Sequence, residues 1–221
     1  MRKDKLITGE TYHIFTRSIA DFKIFNNKKD FERMQQLMKY YQVENELRLS
    51  DFIELKIVRR EGFNNAFNLI SKNKEKSVQI IAFCLMPTHI HLVIKQLIDD
   101  GITIFIKDIL NSYTRYFNIK YQRKGPLWET RFKSVLVNSN EQLLHLTRYI
   151  HLNPVTAQLI DHPEDWDFSS YKEYIGEISE SSAICRFKDL MEIQPLLYSK
   201  FVEDHISYQR ELAKIKNLLI D

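Results

Sequence analysis

The sequence predicts an α+β domain in which helices pack on a small antiparallel sheet and a helical tail follows. Residues 10–18 alternate in polarity and are rich in strand-forming side chains, which predicts a first strand. Residues 77–85 and 89–95 predict an apolar hairpin around a tight turn, and residues 103–122 show the apolar spacing of an amphipathic helix. Strands and helices mixed in this order favour the α+β class.

The first half of the chain contains one clear helix and one less regular segment. Asp30 is the expected N-cap of a helix from Phe31 to about Val43, because apolar side chains recur there along one face. Residues 45–76 predict two short helices around a break at Gly62. The apolar hairpin follows.

The second half predicts a loop, a strand and further helices. The loop turns at Gly125-Pro126, a short strand covers Lys133–Val137, and a helix covers Glu141–Leu152. Asn153-Pro154 is typical of the start of another helical turn. Residues 178–221 predict a helical tail with a break at Pro195.

Length and composition limit the classes of protein. The chain has 221 residues, of which 44% are hydrophobic and 28% are charged, enough for one core with an appended helical part. No run of 18 apolar residues predicts a membrane span, and the N-terminus does not resemble a secretory signal. The two cysteines lie far apart in apolar contexts, so we expect a cytoplasmic protein with reduced thiols.

Positive charge is concentrated in residues 115–133, which we call the basic segment. The whole chain has a net charge of only +3, yet the basic segment has six basic residues and one acid. Such a cluster is typical of a surface that binds a phosphate backbone. The alternative is a helix face and loop exposed to solvent.

Two histidines interrupt the apolar hairpin in the stretch FCLMPTHIHLVIKQ, residues 83–96. Side chains alternate between the faces of a strand, so His89 and His91 share one face and Ile90 and Leu92 the other. The Cα atoms of the two histidines are then roughly 6 to 7 Å apart, which lets both imidazoles bind one metal ion. The alternative is a pair of exposed histidines on the solvent face. A structural zinc site is not expected, because no cysteine cluster supplies further ligands.

Residues 143–155, LLHLTRYIHLNPV, carry a second candidate group. Tyr149 and Asn153 are four residues apart and share a helical face, with His145 one turn earlier. Tyrosine can act as a covalent nucleophile, and an asparagine carbonyl can bind a metal ion.

Tyr149 and Asn153 could instead have purely structural roles. Tyr149 would be an ordinary core tyrosine, and Asn153 the N-cap of a new helix. Tyr113, Tyr116 and Tyr121, in or beside the basic segment, are rival nucleophiles.

Five segments resemble, in the same order along the chain, those of the HUH single-tyrosine transposases: MPTHIHLVIK, SYTRYFNIKYQRKG, GPLWETRFKS, RYIHLNPVTAQLI and DWDFSSYKEYIG. The similarity runs from about Tyr12 to Gly176 and is greatest for the branch associated with repetitive extragenic palindromes. Thr88 stands where the family usually has asparagine, and residues 45–76 look longer than the family minimum. The resemblance implies a ferredoxin-like HUH domain over residues 1–176, with 45–76 as a helical insertion and 177–221 as a helical C-terminal extension.

The resemblance also implies an activity and its residues. His89 and His91 would bind Mg²⁺ or Mn²⁺, with Asn153 as third ligand, and Tyr149 would attack a DNA phosphodiester. The expected reaction is DNA strand cleavage and joining through a 5′-phosphotyrosine intermediate on single-stranded DNA that carries hairpins, as in DNA transposition. The expected DNA-binding residues are Arg115, Lys120, Arg123, Lys124, Trp128, Arg131 and Lys133.

Aromatic side chains of the basic segment have two interpretations. Tyr116, Tyr121 and Trp128 are candidates to stack on unpaired bases. Trp128 is equally interpretable as a core anchor.

Other functions remain open from the sequence. A DNA-binding protein of the same fold would bind a sequence or a hairpin without cleaving it. A hydrolytic nuclease would keep its activity in Tyr149→Phe. A structural interaction domain would bind no metal ion and would bind DNA weakly. The protein is expected to be a monomer, or a homodimer in which the tyrosine helix is exchanged.

Overall fold

The structure, a computed structural model, describes residues 5–129 and 131–211. The strands are β1 (Thr11–Arg17), β2 (Val78–Met86), β3 (His89–Gln96) and β4 (Lys133–Leu136). The helices are α1 (Lys28–Tyr40), α2 (Leu49–Ile53), α3 (Lys56–Glu61), α4 (Phe63–Ser71), α5 (Gly101–Lys120), α6 (Asn140–Thr156), α7 (Tyr171–Tyr174) and α8 (Pro195–Glu203). Short 3₁₀ turns occur at Ile19–Asp21 and Pro163–Asp165.

The four strands form one antiparallel sheet in the order β2-β3-β1-β4. Helices α1 to α4 lie between β1 and β2 in the chain, and α5 lies between β3 and β4. Together with the strand order, this connectivity is the ferredoxin-like arrangement. The predicted fold class is confirmed. The register places Phe15 of β1 between His91 of β3 and Lys133 of β4.

Helices cover both faces of the sheet. On one face Ile14, Ile90 and Leu92 are buried in the core to which α1 and α5 contribute. On the other face Val93 and Cys84 are buried with residues of α6. His89 and His91 point to this second face, so the alternative of a histidine pair on an open solvent face is wrong.

Asp30 is not the N-cap of α1, because the helix begins at Lys28 with Asn27 as N-cap. Its carboxylate is fully buried and accepts hydrogen bonds from Lys120 Nζ (2.6 Å), the Tyr121 hydroxyl (2.6 Å) and the Tyr116 hydroxyl (2.9 Å). Burial alone would raise the pKa of Asp30, but hydrogen bonds from Lys120, Tyr121, the Asn26 backbone and Tyr116 together outweigh it and lower the pKa. Asp30 therefore joins the start of α1 to the end of α5.

Asp30→Ala is expected to lower the free energy of unfolding by about 2 to 3 kcal/mol, because two hydroxyls and an ammonium lose their buried acceptor. Urea unfolding measures this loss. Asp51→Ala, which removes an exposed acid from α2, is the control and should have an effect within about 0.5 kcal/mol. Equal stability of the two variants would show that Asp30 does not stabilise the helix pair.

Residues 45–76 form three short helices where two were expected. α3 ends at Gly62 and α4 begins at Phe63, so the break at Gly62 separates two helices as predicted. Gly62 has a φ of 78°, a backbone conformation that favours glycine. α2 is the additional helix, and its Phe52 is buried in the core.

The tail packs on the domain through α8. Pro195 does not break this helix but occupies its first turn, where its missing N–H costs no hydrogen bond. Residues 177–194 lie outside the helices, although a helical tail was expected from residue 178. Within the described part of the tail, the helical residues are those of α8 and residues 206–211. Tyr198 and Val202 of α8 are buried in the same core as α6. The predicted helix after residue 211 lies outside the described residues.

Over residues 5–129 and 131–211, no helix is both long enough and apolar enough to cross a bilayer. Cys84 and Cys185 are both free, and Cys84 is fully buried.

Candidate active site

Helix α6 is a single helix from Asn140 to Thr156, so the expected new helical turn at Asn153 is wrong. Its N-cap is Ser139, whose hydroxyl accepts from the backbone N–H of Gln142 (3.1 Å). Pro154 lies inside the helix and cannot donate to the Ile150 carbonyl. The Asn153 amide donates to that carbonyl (3.4 Å) and to the Tyr149 carbonyl (3.0 Å), which satisfies the group that Pro154 leaves free.

Tyr149 projects from α6 onto the histidine pair. Its ring meets the His91 ring edge-on, with centroids 6.0 Å apart, and the rings of His89 and His91 are 5.1 Å apart. Tyr149 is 43% exposed, so a substrate can approach its hydroxyl. Burial of part of the side chain raises the pKa of Tyr149, so the phenol keeps its proton at neutral pH.

His89 and His91 are neutral at physiological pH. Burial lowers the pKa of His89 to about 4 and that of His91 to about 3, and the positive charge of Arg17 adds to both effects. A neutral imidazole is the form that binds a metal ion. The Nδ1 atom of His89 lies 3.0 Å from the Thr88 hydroxyl, and Nδ1 of His91 lies 3.1 Å from Nε2 of His13.

Strand β1 adds three residues that the sequence did not indicate. His13, Phe15 and Arg17 alternate with the buried residues of β1 and point to the same face as His91. His13 lies with its ring centroid 5.3 Å from that of His91 and 6.4 Å from that of Tyr149. The alternation of side chains along a strand predicts that His13, Phe15 and Arg17 share one face of β1. Their position beside His91 depends on the register between β1 and β3, which the sequence does not reveal.

The three rival tyrosines lie away from the histidine pair. Tyr113 is fully buried and donates to the Ile24 carbonyl, while Tyr116 and Tyr121 bind Asp30. All three belong to the core on the opposite face of the sheet. Among the tyrosines of the described residues, Tyr149 is the one whose ring contacts that of His91.

The basic segment divides between the two faces of the sheet. Arg115 and Lys120 are on α5, opposite α6, and Lys120 is held by Asp30. Arg123 donates to the carbonyls of Gly125 (3.3 Å) and Pro126 (2.7 Å) and thus stabilises the predicted loop. These contacts indicate structural roles for Lys120 and Arg123.

The end of the basic segment reaches the site face. Lys133 Nζ lies 5.7 Å from the centroid of the Phe15 ring, which is itself 6.0 Å from the His91 ring. Lys124 and Arg131 are exposed and form no ion pair with any residue that the structure describes. Trp128 is 8% exposed and packs near Tyr113, with ring centroids 6.0 Å apart. This burial favours the core-anchor interpretation of Trp128.

A buried polar network fixes α6 behind Tyr149. His151 is fully buried, with Nδ1 2.7 Å from the Tyr198 hydroxyl and Nε2 2.7 Å from the Ser170 hydroxyl. The Tyr198 hydroxyl donates to Thr147 of α6 (2.9 Å). Burial lowers the pKa of His151 to about 3. The network connects α8 to the helix that carries Tyr149.

His151 predicts a pH dependence of stability. Its pKa in the folded protein lies below the ordinary value of 6.5, so the unfolded chain binds the proton first as the pH falls. Its stabilising contribution is complete above pH 6.5 and is lost as the pH falls towards 3. His151→Gln should therefore reduce the slope of unfolding free energy against pH, by up to about 1.4 kcal/mol per pH unit.

Urea unfolding at pH 7, 6 and 5 measures this slope. His162→Gln, which changes an exposed histidine, is the control and should leave the slope unchanged. Identical slopes for His151→Gln and the unsubstituted protein would contradict the prediction.

The side chains around His89 and His91 fit an open divalent metal site. Nε2 of each histidine forms no hydrogen bond with the described residues, and neither does Oδ1 of Asn153. Two imidazole nitrogens suit a divalent metal ion that also binds substrate oxygens. The hydrogen bonds of the Asn153 side chain go to carbonyls of its own helix and to neither histidine, so its place as the third ligand stays a prediction. In residues 5–129 and 131–211, no three His, Cys, Asp or Glu side chains are grouped so that they could hold a metal ion.

The chain is similar to known transposases. Residues 55–153 match the family described as IS200-like transposases. The predicted family resemblance is confirmed. The part of the chain that matches the IS200-like transposases contains His89, His91, Tyr149 and Asn153, whereas His13 and Arg17 lie before it.

Two known proteins, a relative and a solved structure, are similar to the chain. A REP-associated tyrosine transposase of Haemophilus influenzae is 30% identical over 103 residues, which are 42% of this chain and 58% of that protein. A solved structure of a REP-associated tyrosine transposase bound to a REP hairpin has a TM-score of 0.50 and 15% identity, covering 88% of this chain and 96% of that one. The second likeness concerns the fold. The domain bounds at residues 1–176 and 177–221 stay a prediction.

Proposed function

We propose that the protein cleaves and rejoins single-stranded, hairpin-bearing DNA through a covalent bond to Tyr149. The observation that carries this proposal is the contact between Tyr149 and His91 within one chain. The half-exposed Tyr149, a residue type that can act as a nucleophile, lies beside two neutral imidazoles whose Nε2 atoms form no hydrogen bond with the described residues, and this supports the proposal. Because the contact lies within one chain, we expect a monomer to be able to cleave.

The proposed reaction is an exchange of phosphodiester bonds. The Tyr149 oxygen attacks phosphorus and loses its proton, the bond from phosphorus to the 3′-oxygen breaks, and that oxygen leaves as a hydroxyl after gaining a proton. The product is a 5′-phosphotyrosine, and a later 3′-hydroxyl can reverse the step to join strands. Since burial raises the pKa of Tyr149, nearby positive charge must help the phenol to ionise.

Residues of the chain supply part of that charge. Arg17 follows Phe15 by two residues on β1, and Lys133 pairs with Phe15 from β4, so both face the site side of the sheet. Lys133 can bind a phosphate oxygen, and so can Arg17, whose ion pair with Asp21 (3.3 Å) is exposed to solvent. His89, His91 and Asn153 would hold Mg²⁺ or Mn²⁺, which when bound polarises a phosphate oxygen and offsets its charge.

A denaturing gel tests the proposal. The protein is incubated with Mn²⁺ and a set of end-labelled single-stranded hairpin oligonucleotides, and a labelled species that migrates with the protein is expected. Digestion with protease and mass spectrometry should find the nucleotide on Tyr149. Cleavage without an adduct would support a hydrolytic nuclease, and tight hairpin binding without cleavage would support a DNA-binding protein.

DNA binding itself is expected to depend on Lys124 and Arg131. Each exposed cation that contacts a phosphate adds about one unit to the slope of log affinity against log salt concentration. Lys124→Ala and Arg131→Ala should each reduce that slope by about one and weaken binding at low salt.

Lys120→Ala is the contrasting variant, because Lys120 binds Asp30. It should lower the unfolding free energy while changing the salt slope less. Fluorescence anisotropy at several salt concentrations makes the comparison. An unchanged slope in both Lys124→Ala and Arg131→Ala would rule out this part of the basic segment as the binding surface.

A further inference from the structure

Each histidine of the candidate metal site has one occupied and one free ring nitrogen. Nδ1 of His89 is 3.0 Å from the Thr88 hydroxyl, and Nδ1 of His91 is 3.1 Å from Nε2 of His13. The Nε2 atoms of His89 and His91 form no hydrogen bond with the described residues. The same pattern therefore occurs twice, although Thr88 lies in the β-hairpin turn and His13 on a neighbouring strand.

We propose that Thr88 and His13 are positioning residues that keep the protons of His89 and His91 on Nδ1 and so present both Nε2 lone pairs to a divalent metal ion. This inference rests on the proposed function, because it assigns a role to residues behind the same site. Thr88 replaces the asparagine usual at this position in the family, and it lies directly before His89.

The cost of an unpaired donor favours this tautomer. A neutral imidazole carries one proton, on Nδ1 or on Nε2. A proton on Nε2 would leave a partly buried N–H with no described acceptor, whereas an unpaired lone pair costs less. A proton on Nδ1 is donated to the Thr88 oxygen or to His13. Both tautomers are neutral, so the choice depends on these two partners.

The position of His13 explains why it supports His91 without joining the ligands. Its Nε2 faces Nδ1 of His91, and the two rings are nearly parallel, with an interplanar angle of 22°. It therefore contacts the side of the His91 ring that lies away from the free Nε2. As the acceptor in this bond, His13 carries its own proton on Nδ1.

Four variants separate the hydrogen bond from packing. Thr88→Val removes the acceptor oxygen but keeps the shape of the side chain, and His13→Phe removes the acceptor nitrogen but keeps an aromatic ring. Thr88→Ser and His13→Gln each keep an acceptor oxygen. Long-range ¹H–¹⁵N spectra of the metal-free protein report the tautomer of each histidine. Calorimetric titration with Mn²⁺ reports metal affinity, and thermal melting shows whether each variant folds.

The expected result is Nδ1–H tautomers for His89 and His91 in the unsubstituted protein. Thr88→Val should shift His89, and His13→Phe should shift His91, to the Nε2–H tautomer. Each of these variants should bind Mn²⁺ roughly ten- to a hundredfold more weakly. Thr88→Ser and His13→Gln should keep the tautomers and stay within a fewfold of the original affinity.

Two results would overturn the inference: Nε2–H tautomers in the unsubstituted protein, or original Mn²⁺ affinity in both Thr88→Val and His13→Phe. Failure of the proposed function has a different signature. The unsubstituted protein would then bind no Mn²⁺ or form no adduct, while the metal-free spectra would still decide whether Thr88 and His13 set the tautomers.

Discussion

Tyr149→Phe is expected to abolish the covalent adduct with DNA and to lower the cleavage rate at least about a thousandfold, because the attacking oxygen is absent. The substitution keeps the aromatic ring that contacts His91, so α6 should hold its place on the sheet. DNA affinity should change less than twofold. Single-turnover cleavage on denaturing gels and anisotropy on the same oligonucleotide measure the two quantities.

Tyr208→Phe is the matched control for Tyr149→Phe. Tyr208 is 57% exposed, and its hydroxyl forms no hydrogen bond with the described residues, so its loss should leave adduct formation unchanged. If Tyr149→Phe cleaves at the original rate, the nucleophile is water and the covalent mechanism is wrong. If Tyr208→Phe alone is inactive, the attacking residue lies in the tail.

The double variant His89→Ala/His91→Ala is expected to lose both Mn²⁺ binding and cleavage. Two of the three proposed ligands are removed, and Asn153 alone provides one weak oxygen donor. His91 is buried and His89 partly buried, but the inward row of β3 is unchanged, so the double variant should still fold. Calorimetric titration and the gel assay test the two losses separately.

His162→Ala controls for the removal of a histidine outside the site, since His162 is exposed. Its Mn²⁺ affinity and cleavage should match those of the unsubstituted protein. Metal-stimulated cleavage that survives in the double variant would place the metal ion elsewhere on the protein. Loss of cleavage with full Mn²⁺ binding would give the histidines a role other than metal binding.

Local patterns in the sequence were sufficient for the elements that carry the site. The apolar run of residues 77–85 predicted β2, the alternation around His89 and His91 predicted β3, and the helix predicted over Glu141–Leu152 is most of α6, which carries Tyr149. The resemblance over short motifs selected His89, His91 and Tyr149, which the structure brings together. These features depend on residues close together along the chain.

Features that depend on strand register or tertiary contacts were not predictable in the same way. His13 reaches His91 because β1 pairs with β3, a pairing between distant segments that no local pattern encodes. Asp30 resembled an N-cap, but its burial against α5 is set by helix packing. Asn153 and Pro154 resembled a helix start, and the side-chain amide of Asn153 instead satisfies the carbonyl that Pro154 leaves free.

The central position of β1 has a consequence for synthesis on the ribosome. β1 is the first of the four strands to be made, yet its partners begin at His89 and Lys133. The nascent chain therefore carries a strand with two open edges until the hairpin has emerged, and one open edge until β4 follows. Unpaired edges of this kind promote aggregation, so we expect chains truncated before Lys133 to accumulate in the insoluble fraction.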